Sequence, residues 1–201
     1  KSKYLVTVSF RSDGSSRFPS DNRWGYFPSG AFAWRFTDES FMKGLDFIND
    51  GKLRIGYGHT GNNRVSDYAP YTALRMLPNT GYSTGNVPGK GMVPVSLGNN
   101  KLKWETTVQS NFGIDMSFLK KRISLTADYY HKKTHDLLLN ATLAPSMGFL
   151  NAFKNVGKVS NSGVKFTINT NNINGQKFSW DSSFNIAFNG KKVLSLNDQE
   201  P

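Results

Sequence analysis

Hydrophobic and polar residues alternate with period two along seven stretches of the chain: 4–11, 31–36, 53–58, 107–118, 123–130, 164–169 and 178–189. Successive side chains of a β-strand point to opposite faces, so each stretch predicts a strand with two unlike faces. One phase of the alternation holds 29 positions, of which 27 are apolar, two are serine and none is charged. The other phase also holds 29 positions. Seven of these are charged, namely Arg11, Arg35, Arg54, Asp115, Asp128, Lys165 and Asp181. Most of the rest are Ser, Thr, Asn, Gly, Gln or Ala.

The connections alternate in length. Long ones span roughly 12–29, 59–104 and 138–162, and shorter ones span about 38–51, 119–122 and 172–176. Short turns at one end and long loops at the other are the pattern of an outer-membrane barrel. In the 38–51 stretch, Asp38 is placed to cap a short helix by accepting the free N–H groups of its first turn. A soluble sandwich or soluble barrel would use the same alternation with its apolar face inward. Three details weigh against it. The polar phase carries small neutral groups where a solvated sheet usually carries Lys and Glu. The stretches around 106–118 and 177–189 exceed the usual soluble strand of about 5–6 residues, and a tilted bilayer strand needs about 9–11. An apolar phase without charge also suits lipid, where a midplane Lys or Arg costs about 2–4 kcal/mol. Seven strands do not close a bilayer barrel, and an open edge in lipid leaves backbone groups unpaired. The soluble reading stays open at this point; if the membrane reading holds, the chain is an antiparallel transmembrane β-barrel segment of about seven strands from a larger barrel.

Composition agrees with an all-β chain. Of 201 residues, 21 are Ser, 20 Asn and 19 Gly, types that favour turns over helix interiors, while the aromatics favour strands. There is no Cys, which excludes disulfides, zinc-thiolate sites and thiol nucleophiles. No window reaches 18 apolar residues, and residues 1–7 are not expected to act as a cleavable signal peptide. The net charge of +11 raises nucleic acid or an anionic surface as partner. The seven charged polar-phase positions carry a net +1, which leaves +10 for loops, turns and strand ends. The excess is therefore not expected as a basic stripe on the sheet. On the membrane reading it is expected at rims that meet anionic lipid or lipopolysaccharide phosphates, and nucleic acid is then no partner.

Several motifs look chemical and are set aside. Gly56-Tyr-Gly58-His-Thr-Gly61 matches a dinucleotide fingerprint, but the next residues do not open the helix that would hold a pyrophosphate. Gly85-Asn-Val-Pro-Gly89-Lys90 is one residue short of a phosphate-binding loop. His131 and His135 would share a metal on a helix, whereas on a strand they stand about 13 Å apart. No Ser/His/Asp arrangement is supported, and the chain is not expected to be an enzyme or to carry a cofactor or metal. A soluble all-β carbohydrate-binding module is the alternative function, and a basic nucleic-acid-binding domain is a third.

A resemblance is carried by strings in a fixed order: Asp13-Gly-Ser-Ser-Arg-Phe18, Asn22-Arg-Trp-Gly-Tyr-Phe-Pro-Ser29, Ala33-Trp-Arg35, Leu53-Arg-Ile-Gly-Tyr-Gly-His-Thr-Gly-Asn62, Leu102-Lys-Trp-Glu-Thr106, Asp128-Tyr-Tyr-His-Lys-Lys-Thr-His-Asp-Leu-Leu138 and Asn155-Val-Gly-Lys-Val-Ser-Asn-Ser-Gly163. Across about residues 4–190 the chain resembles the SusC/RagA family of TonB-dependent outer-membrane transporters. At Gly163-Val-Lys165 it departs from the family, which often has Glu at the third position.

The resemblance implies a 22-stranded barrel with an N-terminal plug, in the outer membrane of Bacteroidetes-type bacteria, importing glycans or peptides. It implies a SusD-like surface lipoprotein as lid and energising by TonB–ExbB–ExbD through the plug. Residues 1–201 then correspond to part of the barrel domain towards its C-terminal side, with neither the plug nor the TonB-contacting segment among them. Arg11, Arg35, Arg54, Asp115, Asp128 and Asp181 are expected to line the lumen. Trp24, Tyr26, Tyr68, Tyr71 and Tyr82 are expected as loop aromatics that stack on sugar rings or meet the lid.

Overall fold

The computed structural model describes residues 2–45, 47–85 and 87–196. Asn86, inside the 85–90 pattern, lies outside them. Eleven strands follow in order: β1 Tyr4–Gly14, β2 Trp24–Trp34, β3 Ile48–Asn62, β4 Ala73–Thr84, β5 Val87–Leu97, β6 Glu105–Phe118, β7 Ile123–His135, β8 Leu138–Thr142, β9 Asn151–Asn155, β10 Lys158–Asn174 and β11 Ser179–Ser195. The seven expected strands form one sheet in the order β1-β2-β3-β6-β7-β10-β11. Every pairing in it is antiparallel.

Register lines the two phases up across the whole sheet. Val6, Phe32, Ile55, Phe112, Tyr129, Val164 and Phe188 make one row, each opposite the next. The adjacent row reads Leu5, Ala33, Arg54, Gly113, Asp128, Lys165 and Ala187. One face is thus apolar from edge to edge, and the other is polar.

Among the described residues no element covers the middle of the apolar face; Phe41 against Trp34 and Phe47 against Phe118 touch its end at the short connections. Val8 is 81% exposed and Phe188 57%, and Val6, Phe10, Ile55, Phe112, Tyr129 and Phe184 are exposed with them. The buried hydrophobic side chains among the described residues are Phe18, Phe27, Val65, Ala69, Leu102, Leu143 and Ala152, and none belongs to the apolar phase. A soluble sheet would have to hide this face, because a continuous apolar surface in water is strongly unfavourable. This observation overturns the soluble alternative. The seven strands run from 11 to 17 residues, which is ample for a tilted bilayer crossing. Among the described residues no helix is long and apolar enough to cross a membrane. The sheet is not closed, since β1 and β11 do not pair with each other.

Three differences from the sequence expectation have physical causes. First, the long connections are not structureless. They hold a second sheet in the order β4-β5-β9-β8, with β5 and β9 parallel through Ser96 and Leu97 opposite Asn151 and Ala152. Its strands show no clean alternation in the sequence, so periodicity does not reveal them. Second, 38–51 holds no capped helix. Two 3-10 turns, Phe36–Asp38 and Ser40–Met42, occupy it without any side-chain cap, and β3 already begins at Ile48. Asp38 ends the first turn instead of preceding it. The carboxylate that organises this connection is Glu39, which accepts hydrogen bonds from the Tyr4 hydroxyl at 2.6 Å, Lys3 Nζ at 3.1 Å and Trp34 Nε1 at 3.3 Å. Third, β7, β10 and β11 extend well past their apolar alternation, a point developed below.

The connections at 15–23, 63–104 and 136–157 share one end of the sheet, which the loop-length rule makes extracellular. They are knitted together at their base. Leu102 is fully buried with Phe18, Val65 and Ala69, and Trp104, Leu138 and Phe153 pack against them. The Trp104 ring meets Phe18 and Phe27 at centroid distances of 5.3 and 5.5 Å, and its Nε1 donates to the Arg23 carbonyl. Arg17 pairs with Asp67 at 2.6 Å. The Asn155 side chain bridges the loops by accepting from Lys103 N and donating to the carbonyls of Lys103 and Asp136. The strings that carry the resemblance, from Asp13 to Phe18, Leu102 to Thr106 and Asn155 to Gly163, supply most of these contacts.

Candidate functional site

The polar face concentrates its charge at one place. Arg54 on β3 donates through Nε and Nη2 to both oxygens of Asp115 on β6, at 2.8 and 2.9 Å. Nη2 also donates to Asp128 Oδ1 on β7, at 2.8 Å. Lys52 Nζ lies 3.1 Å from Asp115, and the Thr126 hydroxyl donates to the same carboxylate at 3.2 Å. Planar guanidinium geometry suits this two-pronged grip on one carboxylate.

The reach from Arg54 to Asp128 depends on the residue between them. Gly113 on β6 is opposite Arg54 on one side and Asp128 on the other. A Cβ at Gly113 would collide with Asp128 Oδ1 and stand 2.8 Å from Arg54 Nη2. The arginine therefore crosses the sheet over bare backbone. The same device recurs nearer the extracellular end. Tyr130 donates its hydroxyl to Asn189 across Gly163, where a Cβ would collide with Asn189 Oδ1 and the Tyr130 oxygen.

Of the six expected wall residues, the structure brings Arg54, Asp115 and Asp128 into one network. Arg35 lies beside it, 3.6 Å from Asp50, a charge contact longer than a hydrogen bond. Arg11 does not join; its Nε is 2.8 Å from Asp13 on its own strand. It stands six residues along β1 from Leu5, the β1 member of the Arg54 row, or about 20 Å. Asp181 is opposite Asn171, six residues the other way along β11 from Ala187. Lys52 and Gly113 complete the network without having been singled out from sequence. Lys52 shares the parity of Arg54 but lies one residue outside the alternating stretch, and Gly113 acts through what it lacks.

The network side chains are about one third exposed, so each pair contributes at most about 1 kcal/mol to stability. Its main consequence is order. Three strands hold their charged groups in fixed positions on a face otherwise made of Ser, Thr, Asn and Gly.

The aromatic expectations divide. Trp24 and Tyr26 are not in a loop. They belong to β2, in phase with Phe32 and Trp34, and so lie on the apolar face, where Tyr26 stacks on Phe10 at 6.1 Å. Sequence placed them in a loop because Gly25, Pro28 and Gly30 interrupt the alternation there. Their position is that of an interfacial aromatic girdle, away from the polar face. Tyr82 is on β4 and lies over Gly89 across the hairpin. Tyr68 and Tyr71 are in the extracellular connection and are 74% and 68% exposed. His131 and His135 are both on β7, four residues apart along one strand.

Known proteins match this arrangement. The family model for the TonB dependent receptor-like β-barrel matches residues 1–199. The TonB-dependent receptor P39 of Formosa agariphila is 43% identical over 200 residues, covering 100% of this chain and 19% of the relative. The TonB-dependent receptor SusC of Bacteroides thetaiotaomicron is 38% identical over 197 residues, covering 96% and 20%. Among solved structures, the RagAB peptide importer in its closed-closed state superposes with a TM-score of 0.85 at 26% identity, over 96% of this chain and 21% of that one. The chain spans about a fifth of the length of the curated relatives it matches. An exposed apolar face, an ordered polar face and these likenesses converge: the chain belongs to the TonB-dependent receptor family of outer-membrane β-barrels, on its SusC/RagA branch.

Proposed function

We propose that the full-length protein containing this chain imports a large polar nutrient, an oligosaccharide or a peptide, across the outer membrane. A SusD-like surface lipoprotein closes the barrel, and TonB–ExbB–ExbD energises transport through a plug encoded elsewhere in the protein. The family is one of transporters and receptors rather than enzymes. Residues 1–201 form part of its barrel wall, and the polar face lines the lumen.

The observation that carries this reading is the polar wall itself. It offers hydroxyl, amide and backbone groups, and its central charges are held against each other by Arg54. A polar solute can exchange hydrogen bonds along such a wall without meeting an apolar trap; Lys165, opposite Asp128, is a central charge outside the Arg54 network. Asp181, and Arg11 through the guanidinium nitrogens not engaged by Asp13, contact solute or plug in this reading. In this reading Tyr68, Tyr71 and Tyr82, in the long connections, meet solute or lid, since aromatic faces stack on apolar faces of sugar rings.

The test is uptake by a deletion strain complemented with the full-length protein, supplied with a labelled oligosaccharide mixture or a labelled oligopeptide mixture. Uptake of one class is expected, and it should stop when TonB is depleted. Accumulation of neither class, or uptake indifferent to TonB, would refute the proposal.

A further inference from the structure

Strands β7, β10 and β11 continue beyond the apolar band before they end. On the lipid-facing side Tyr129, Val164 and Phe188 share one row. Beyond them the same face carries His131, Lys133 and His135 on β7, Lys158 on β10 and Lys192 on β11. Lys133 is opposite Ser160, and Ser160 is opposite Lys192. His135 is opposite Lys158 one step further out. Adjacent strands lie about 4.8 Å apart, so the backbones of Lys133 and Lys192 are about 10 Å apart, within converging reach of two lysine side chains. This corrects the expectation that the positive excess forms no basic patch on the sheet.

With Val108 and Ser110, the β7 and β10 residues border an open groove of about 430 Å³. The acid at its rim, Asp136, is already engaged by Lys103 at 3.0 Å. Among the described residues Lys133, Lys158 and Lys192 form no ion pair. Lys133 stands four residues beyond Tyr129, about 13 Å along the strand and about 10 Å along the membrane normal at ordinary barrel tilt. That is headgroup depth, directly above surface that faces acyl chains. Uncompensated cations on the outside of a barrel at this depth call for phosphate.

We propose that Lys133, Lys158 and Lys192 form a binding site for the phosphorylated headgroup of an outer-leaflet lipid, whose acyl chains lie on Phe112, Tyr129, Val164 and Phe188 below. The inner side of the same strands provides the control. Lys132 and Lys191 are opposite Asn161 on the polar face, at the same height but turned away from lipid.

The experiment uses the full-length protein in phosphatidylcholine nanodiscs doped with bisphosphorylated lipid A, with bound lipid counted by native mass spectrometry. Each lysine removed should weaken lipid A binding about fivefold, and K133Q/K158Q/K192Q should lose roughly 100-fold. K133R/K158R/K192R should bind like the parent, and K132Q/K191Q should too. Folding is checked by the heat-dependent band shift in SDS gels; if the triple variant fails it, K133Q and K192Q singly carry the same test. Unchanged binding in the glutamine variants, or equal loss in K132Q/K191Q, would overturn the proposal. So would inorganic phosphate binding the parent as well as lipid A does, since that would assign the site to free phosphate.

Discussion

Arg54 and Asp128 are joined at 2.8 Å across an intervening strand, and they meet only because Gly113 places no side chain between them. The ion pair and the glycine are one structural unit. Opening the space or filling it should have separable effects.

Gly113→Ala should push the Arg54 guanidinium off Asp128 and destabilise the barrel by about 1–3 kcal/mol, the usual range for overpacking. Gly56→Ala is the matched control, because a Cβ there has its nearest neighbour at 3.9 Å. Urea unfolding of the full-length protein in vesicles should separate the two variants clearly. Equal midpoints would show that Arg54 repositions freely.

The Arg54–Asp115 pair should couple by about 1 kcal/mol in a double-mutant cycle built from Arg54→Met and Asp115→Asn. Because the side chains are partly solvated, that coupling should shrink at about 1 M salt, where screening acts within roughly 3 Å. A coupling that ignores salt would mean the pair is far drier than its exposure indicates.

Glu39 links the start of β1 to the β2–β3 connection. Hydrogen bonds from Tyr4, then Lys3 and Trp34, hold its carboxyl below the usual glutamate range. A carboxyl depressed by folding stabilises the folded state above its unfolded value, and that contribution fades as pH falls through the folded value. Wild type should therefore exceed Glu39→Gln in stability at neutral pH and converge with it in acid. A constant gap across an acid titration of the band shift would contradict this.

The turn between β6 and β7 places Leu119, Lys120 and Lys121 consecutively in the left-handed region, with φ of 52°, 56° and 66°. Each non-glycine residue there costs about 1–2 kcal/mol. The turn is held by Leu119 N donating to the Phe47 carbonyl and Lys121 N donating to Asn49 Oδ1. Lys120→Gly should raise stability by about 0.5–1 kcal/mol, net of the extra freedom glycine gives the unfolded chain. A lower unfolding midpoint would show that the lysine side chain contributes a compensating contact.

Trp104 is the joint of the extracellular loops. Trp104→Ala should leave the barrel folded and make the 15–23, 63–104 and 136–157 connections more sensitive to external protease. Cleavage at the wild-type rate would mean that Phe18 and Leu102 suffice.

The seven barrel strands were legible because lipid imposes a strict rule. Every second side chain from Tyr4 to Phe10, or from Phe112 to Phe118, had to be apolar. Where lipid ends, the rule ends, although backbone pairing continues. Lys133, Lys158 and Lys192 therefore read as loop or strand-end charges while the chain still runs in strands. The same reason hid β4, β5, β8 and β9, whereas Trp24 and Tyr26 were hidden on the apolar face by the interrupting Gly25, Pro28 and Gly30. In the candidate site, charge and face were legible for Arg54, Asp115 and Asp128, but not their meeting.

By itself, then, the sequence determined the strands, their two faces and the end that bears long loops, because hydrophobic periodicity is a local property of each strand; a soluble sheet would show the same period, and it was the uncovered apolar face of the folded sheet that set it aside. Tertiary structure alone decided which charges touch. Register between strands distant in sequence put Arg54 opposite Gly113 and Gly113 opposite Asp128. It likewise gathered three lysines from β7, β10 and β11 on one face. Neither grouping is encoded in any single stretch, since each exists only once backbone hydrogen bonding has aligned the strands.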